Sequence, residues 1–305
     1  MADRTPPTRA EVEGYLADRR NWGRWGEKGD AGTINLITAE KRIQAAGLVR
    51  TGRTVSLSRP LPVTPSPENP EPANLFLKTL PWRDQGGVVV DFLTMTQHGF
   101  ATTHIDALCH TWDRHGMWEG RDPAKELGYD GAHHGSIDHW SGGIMTRGVL
   151  LDIPKYRGEP YPTLDTPIHG WELEGAASQQ GVSVGSGDAI VVHCGREAYT
   201  RSEKVVFGGE PAIPGLHASC LPFIRDNDLA VLVWDMEDMN PNEYGLAWTI
   251  HGAIFAYGLA VVDNALVEPL AQACGEEGRY DFMLTVNPLV INGGTGSPVN
   301  PIAVF

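Results

Sequence analysis

Gln97-His98-Gly99-Phe100-Ala101-Thr102-Thr103-His104-Ile105-Asp106-Ala107-Leu108-Cys109-His110 is the stretch on which the reading of the chain turns. It places three imidazoles and one carboxylate in the thirteen residues from His98 to His110, among small and apolar neighbours. His104 and Asp106 are two apart. On an extended segment that spacing sends both side chains to one face, whereas on a helix they diverge. Two donors on one face of a stiff segment begin a metal site, and imidazole with carboxylate suits zinc, manganese or iron. His110, four residues beyond Asp106, returns to the same place if the chain turns or becomes helical there. The plainer alternative is a loop whose histidines serve only as hydrogen-bonding groups.

Working outward, Val88 to Asp91 begins a β-rich run expected to deliver this stretch. Residues 60–73 carry prolines at 60, 62, 65, 67, 70 and 72, which makes them an irregular surface excursion. Residues 8–20 have weak helical character, interrupted by Asn21-Trp22-Gly23-Arg24-Trp25-Gly26 with two tryptophans read as exposed. Thr38 is expected to cap a helix running to about Leu48, with Glu40 in its first turn. Thr54 to Ser58 alternates like a strand. Downstream, Gly148 to Ile153, Ala189 to His193 and Leu229 to Trp234 read as buried strands. Helices are expected from Thr166-Pro167 to Gly181, over Ala218 to Arg225, and over 246–257, the last carrying His251. Leu259 to Val262 and Tyr280 to Val286 read as further strands. Strands alternating with helices, with no internal repeat or dividing linker, predict one mixed α/β domain over residues 1–305 with an irregular N-terminal extension.

A length of 305 residues with 41% hydrophobic and 20% charged residues supports a sizeable core. The net charge of −14 argues against nucleic acid or an anionic membrane as partner. Cys109, Cys194, Cys220 and Cys274 form no Cys-x-x-Cys pair, so neither a disulfide framework nor a zinc ribbon is indicated. The N-terminus lacks an apolar targeting core and no apolar run approaches membrane-spanning length, which leaves the cytoplasm as the expected compartment.

Asp263 ends an apolar run, where a carboxylate needs a partner. With His251, His104 and Asp106 it completes a set of two histidines and two carboxylates, enough for one divalent ion or for two sharing Asp106. His-x-Asp with a distant His is also the facial triad of non-haem iron oxygenases. The arginine that 2-oxoglutarate-dependent enzymes of that kind place after the distal histidine is absent here, since no Lys or Arg lies between His251 and Arg279.

His104-x-Asp106-x-x-x-His110, followed by His251 and an acidic residue before Asn264, resembles the cyclase/kynurenine-formamidase family of metal-dependent hydrolases. Asn21 to Gly26, Gly32-Thr33-Ile34-Asn35-Leu36, Thr146 to Asp152 and Gly294 to Pro301 resemble its longer bacterial members, so the resemblance covers nearly the whole chain. It implies a mixed-sheet α/β fold of the swivelling β/β/α kind, a small-molecule substrate, a divalent metal (zinc or manganese), and homo-oligomers, dimers or tetramers. The family motif, His-x-Gly-Thr-His-x-Asp-x-x-x-His, implies metal ligation by His104 and Asp106 and proton transfer by His110. The distal pair implies ligation by His251 and by Asp263, an aspartate where glutamate is more usual. The first motif histidine falls on Phe100 and the motif glycine on Thr102. One ion is therefore expected, with His98 and His217 as candidate replacement ligands. Phe100, Trp22, Trp25 and Trp118 are candidates for an aromatic wall against a flat substrate. The expected activity is hydrolysis of a cyclic amide, lactone or aryl-formamide. The alternatives are the iron oxygenase and a non-catalytic binding homologue.

Overall fold

The computed structural model describes residues 4–19, 21–67, 69–203, 207 and 212–305. In chain order its strands are β1 (Thr54–Ser56), β2 (Asn74–Pro81), β3 (Gly87–Thr94), β4 (His104–Asp106), β5 (Leu127–Gly128), β6 (Gly131–Ala132), β7 (Ile144–Asp152), β8 (Ala189–His193), β9 (Val231–Trp234), β10 (Ala260–Asp263), β11 (Asp281–Val286), β12 (Gly296–Pro298) and β13 (Ile302–Val304). The helices are α1 (Arg9–Ala17), α2 (Ala39–Ala46), α3 (Pro123–Glu126), α4 (Ile153–Arg157), α5 (Gly170–Gln180), α6 (Arg196–Glu203), α7 (Leu221–Asp226), α8 (Gly252–Tyr257) and α9 (Glu268–Glu277). No described helix is long and apolar enough to cross a membrane.

Nine strands form one mixed sheet in the order β1-β13-β11-β7-β8-β9-β10-β4-β12. Its centre, β7 to β10 through β8 and β9, is parallel. Strands covered on both faces need apolar residues at every position, and β8, β9 and β10 are buried throughout. This is the mixed α/β architecture expected from the sequence. Thr8 caps α1 in a reciprocal pair with Glu11, Thr38 caps α2 by accepting from the Lys41 amide, and Gly181 ends α5 with φ 69°.

Three expectations shift. Helix α5 begins at Gly170 rather than at Thr166-Pro167, because Ile168 donates its amide to Gly215 and bridges Leu216 in an extended conformation. The helix expected over 246–257 is only α8. Asn242 and Leu246 close a turn on each other, and the Thr249 and His251 amides are tied to Asp238, so His251 immediately precedes the helix. The run from Val88 belongs to β3, which pairs with β2 in a separate ribbon. The central motif sits on a strand of its own, β4.

Strand β4 is three residues long and lies between two antiparallel neighbours. On one side His104 faces Asp263 and Asp106 faces Val261; on the other Asp106 faces Gly296 and His104 faces Pro298. Opposed residues of an antiparallel pair share a face. His104, Asp106 and Asp263 therefore point one way, while Ile105 and Val262 enter the core. Gly296 has a specific steric reason: a Cβ there would stand 2.7 Å from both the His98 ring and the Ile105 carbonyl.

Candidate metal centre

The side chains that β4 and β10 turn to one face are met by His251, immediately ahead of α8. His104 donates from Nδ1 to the Thr102 carbonyl at 2.9 Å, and His251 binds Asp238 through Nδ1 at 2.8 Å. Both rings are thus anchored from behind and present Nε2 to the same space, the arrangement that fixes the tautomer of a metal-ligating histidine. His251 Nε2 lies 3.1 Å from Asp263 Oδ2, and His104 Nε2 lies 3.4 Å from Asp106 Oδ1 and 3.7 Å from Asp263 Oδ2. Bonds of about 2.0–2.2 Å place tetrahedral donors roughly 3.3–3.6 Å apart, so these separations suit one shared cation. The other oxygen of Asp263 accepts from the Trp234 indole.

Asp106 is fully buried, and its Oδ2 has no hydrogen-bond partner among the described residues. That oxygen lies 3.7 Å from His110 Nε2 and 3.9 Å from His251 Nε2. A buried carboxylate oxygen left without a donor costs on the order of 1–3 kcal/mol, and a cation among these groups would satisfy it. Two overlapping donor sets exist, His98 with His104 and Asp106, and Asp106 with His251 and Asp263. A divalent ion fits the residues present.

Electrostatics point the same way. Burial opposes ionisation of Asp106, yet the surrounding imidazoles of His110, His104 and His98 hold its carboxyl well below the usual range. Burial would depress His104, but the hydrogen bond and charge of Asp106, with Asp263 behind it, bring it up to about 9. His251 is likewise raised, Asp263 and Asp238 outweighing its burial. His110 is the exception: burial lowers it to about 4 against the pull of Asp106, leaving a neutral imidazole at the cavity wall.

The cavity holds about 260 Å³ and is lined by His98, His104, His110, His251 and Asp263, with Phe100 and Trp248 as aromatic walls and Glu237 at one side. Burial and the charge of Asp263 push Glu237 up to about 8 despite the nearby histidines. The Gly99-Phe100 wall is clamped from the core: Arg196 donates to the Phe100 carbonyl and to Asn264 Oδ1, and Asn264 donates to the Gly99 carbonyl, each at 2.5 Å.

His98 stands inside the cluster, 3.0 Å from Asp106 Oδ1 and stacked on His110 with centroids 3.9 Å apart. His217 does not join it. Its ring contacts Ser219, Glu243 and Tyr244 and leans against His169, whose centroid is 4.3 Å away. Of the four candidate aromatics, Phe100 lines the cavity and the three tryptophans do not. Trp118 is wholly buried, its indole N–H donating to the Gly29 carbonyl. Trp22 and Trp25 are half-buried rather than exposed; Trp22 donates to the Phe255 carbonyl and Trp25 packs against Trp118. Asp238 and Glu237 were not singled out by motif reasoning. Their signal is the acid-rich Asp235-Met236-Glu237-Asp238 directly after the apolar strand β9, since ligands gather beyond the carboxyl ends of parallel strands.

A family model described as "Putative cyclase" matches residues 53–241, more than half of the chain. The chain belongs to the cyclase family. His251 and Asp263 lie beyond the matched segment. A solved structure described as a novel cyclase is 27% identical, with a TM-score of 0.82 over 93% of this chain and 99% of its own. Isatin hydrolase A from Ralstonia solanacearum shares the fold at 16% identity, with a TM-score of 0.56 over 86% of this chain and 94% of its own. Isatin hydrolase A from Labrenzia aggregata, bound to benzyl benzoate, does so at 17% identity, with a TM-score of 0.53 over 85% and 94%. No curated protein matches the sequence.

Proposed function

We propose that this cyclase-family chain is a metal-dependent hydrolase of a small cyclic amide, lactone or aryl-formamide. The observation that carries the reading is the buried, unpartnered Oδ2 of Asp106 set among the Nε2 atoms of His110 and His251. His104, Asp106, His251 and Asp263 would hold the ion, zinc or manganese by their donor chemistry, and His98 offers a second seat through Asp106. When bound, such an ion polarises a carbonyl oxygen and acidifies water.

The chain's own groups divide the remaining work. His110 lines the cavity and would accept a proton at Nε2 and return it to the leaving nitrogen or oxygen. Phe100 and Trp248 orient a flat substrate, and the small cavity volume excludes a bulky one. Arg196 and Asn264 hold the Phe100 backbone in place. Asp238 fixes His251 through both ring and amide. We infer one domain over residues 1–305, a reading supported by the single sheet that takes strands from Thr54 to Val304. Four buried free cysteines favour the cytoplasm, and a homo-oligomer accords with the family.

The test is metal content per chain by elemental mass spectrometry, with a substrate panel of isatin-type lactams, lactones and N-formyl anilines. About one equivalent of zinc or manganese with turnover of one such substrate is expected, and two equivalents would assign His98 to a second seat. No metal after reconstitution would leave a binding protein. Iron with oxygen-dependent turnover would make the chain an oxygenase.

A further inference from the structure

The metal cavity has a neighbour. Its Ala247-Trp248 edge is also the wall of a second cleft, of about 210 Å³. That cleft is built of Leu16 from α1, Trp112 from the turn after His110, Leu246 and Trp248 from the segment ahead of His251, and Phe255 from α8. The two segments that carry the proposed base and a proposed ligand thus each bring a tryptophan to its lining. Trp112 stands two residues past His110, and Trp248 three before His251. Trp112 stays 45% exposed. A lone exposed apolar residue needs no explanation, but one that lines a concave site with four other apolar side chains does.

The charges around the cleft are already engaged. Arg19 pairs with Asp113 at 2.5 Å, its guanidinium carbon lies 5.3 Å from the Phe255 ring centre, and its Nη1 is closed to solvent. Glu13 pairs with Arg9, and the exposed Arg114 donates to His115. An ionised group inside the cleft would lose its hydration without a free buried counter-ion to meet it. The interior therefore selects an uncharged, apolar group. Size points to a shared occupant. Sites for whole small molecules span about 300–1,000 Å³. The metal cavity, at about 260 Å³, and the cleft each fall short of that range, and joined they fall within it.

We propose that the cleft is an annex to the metal site and takes an uncharged aryl or branched-alkyl arm carried by the substrate, with Trp248 as the sill between the two. The metal cavity then admits only the flat reacting part, and bulk is accepted as an arm outside it. Of the five apolar walls only Trp112 falls within residues 53–241, so the arm is chosen mainly by segments outside the family match. The proposal rests on the hydrolase reading, and two ligand pairs separate the one from the other.

N-formylaniline and N-formyl-4-benzylaniline are compared as substrates of the native chain. Aniline and 4-benzylaniline are compared as ligands by isothermal titration calorimetry, which reads binding whether or not turnover occurs. The benzyl arm should raise kcat/KM and tighten binding by at least about tenfold, the order expected from burying one ring. Ala17→Phe fills the cleft from an exposed position on α1, and Trp112→Ala removes a wall. In both variants the ratio of benzyl to plain ligand should fall toward one. Each variant is compared on its own pair, so a general loss of activity cancels. Neither formamide turned over, with 4-benzylaniline still bound tenfold better and that gain lost in the variants, would support the annex while sinking the aryl-formamide reading. Turnover of N-formylaniline with no gain from the arm would overturn the annex and leave the hydrolase reading standing. Equal calorimetric affinity for the two amines, or a gain that survives in both variants, would also overturn it.

Discussion

His104, His251 and His217 are about equally hidden, at 1%, 5% and 2% exposed, yet their surroundings drive them in opposite directions. Around His104 and His251 stand Asp106, Asp263 and Asp238, whose charges outweigh burial and raise both imidazoles. Around His217 stand two hydroxyls, the His169 ring and Glu243, whose side chain is half open to solvent; burial wins and lowers it. His169 falls to about 4, through burial and the neighbouring His217. Burial alone therefore does not make a histidine a metal ligand. Buried carboxylates around it create a demand for positive charge that a wet glutamate does not.

The sharpest way to break this contrast is to remove the shared carboxylate. Asp106→Asn is expected to strip the ion and to lower turnover on the order of a thousandfold, whereas His217→Gln should leave both unchanged. A fully loaded, active Asp106→Asn enzyme would dissolve the distinction. His110→Ala should keep its metal and lose about a hundredfold in kcat; metal loss there would make His110 a ligand instead. Asp238→Asn, which releases the back of His251, should weaken metal affinity by about 10- to 100-fold, read by competition with a chromogenic chelator. Stripping the metal from the native chain should lower Tm by roughly 5–10 °C, an effect preserved in His217→Gln and missing in Asp106→Asn.

The smallest effect concerns acid stability. His169 has a folded pKa of about 4 against the ordinary 6.5, so the folded state resists protonation that the unfolded chain accepts. Its contribution is complete above about pH 6.5 and declines as pH falls toward 4. Thermal melts of native and His169→Gln protein should diverge at neutral pH and converge on acidification.

How much of this the sequence displays depends on whether local geometry carries it. His104, Asp106 and His110 are readable because a period of two and an offset of four are properties of the chain itself. Asp263 is readable as a carboxylate closing an apolar strand. The separation of His217 from the cluster is set by the Ile168 to Leu216 bridge, a contact between distant segments that no spacing announces. The same limit hides Trp118. The sequence offers it as a wall against a substrate, but its N–H is taken by the Gly29 carbonyl, 89 residues away in the chain. The run from Val88 misleads for another reason: an apolar run looks the same whether its strand joins the main sheet or pairs in a separate ribbon.

Strand β4 draws both of its neighbours from the last fifty residues of the chain, β10 at Ala260–Asp263 and β12 at Gly296–Pro298. During synthesis the His-x-Asp motif therefore leaves the ribosome long before either flank exists, and at that stage it is an unpaired segment. A chain halted before Thr295 would carry every proposed ligand, yet it would lack the β12 edge and the hydroxyl that holds His98 Nε2 at 3.0 Å. The motif's final setting is thus completed by a glycine-rich tail that itself offers no candidate ligand.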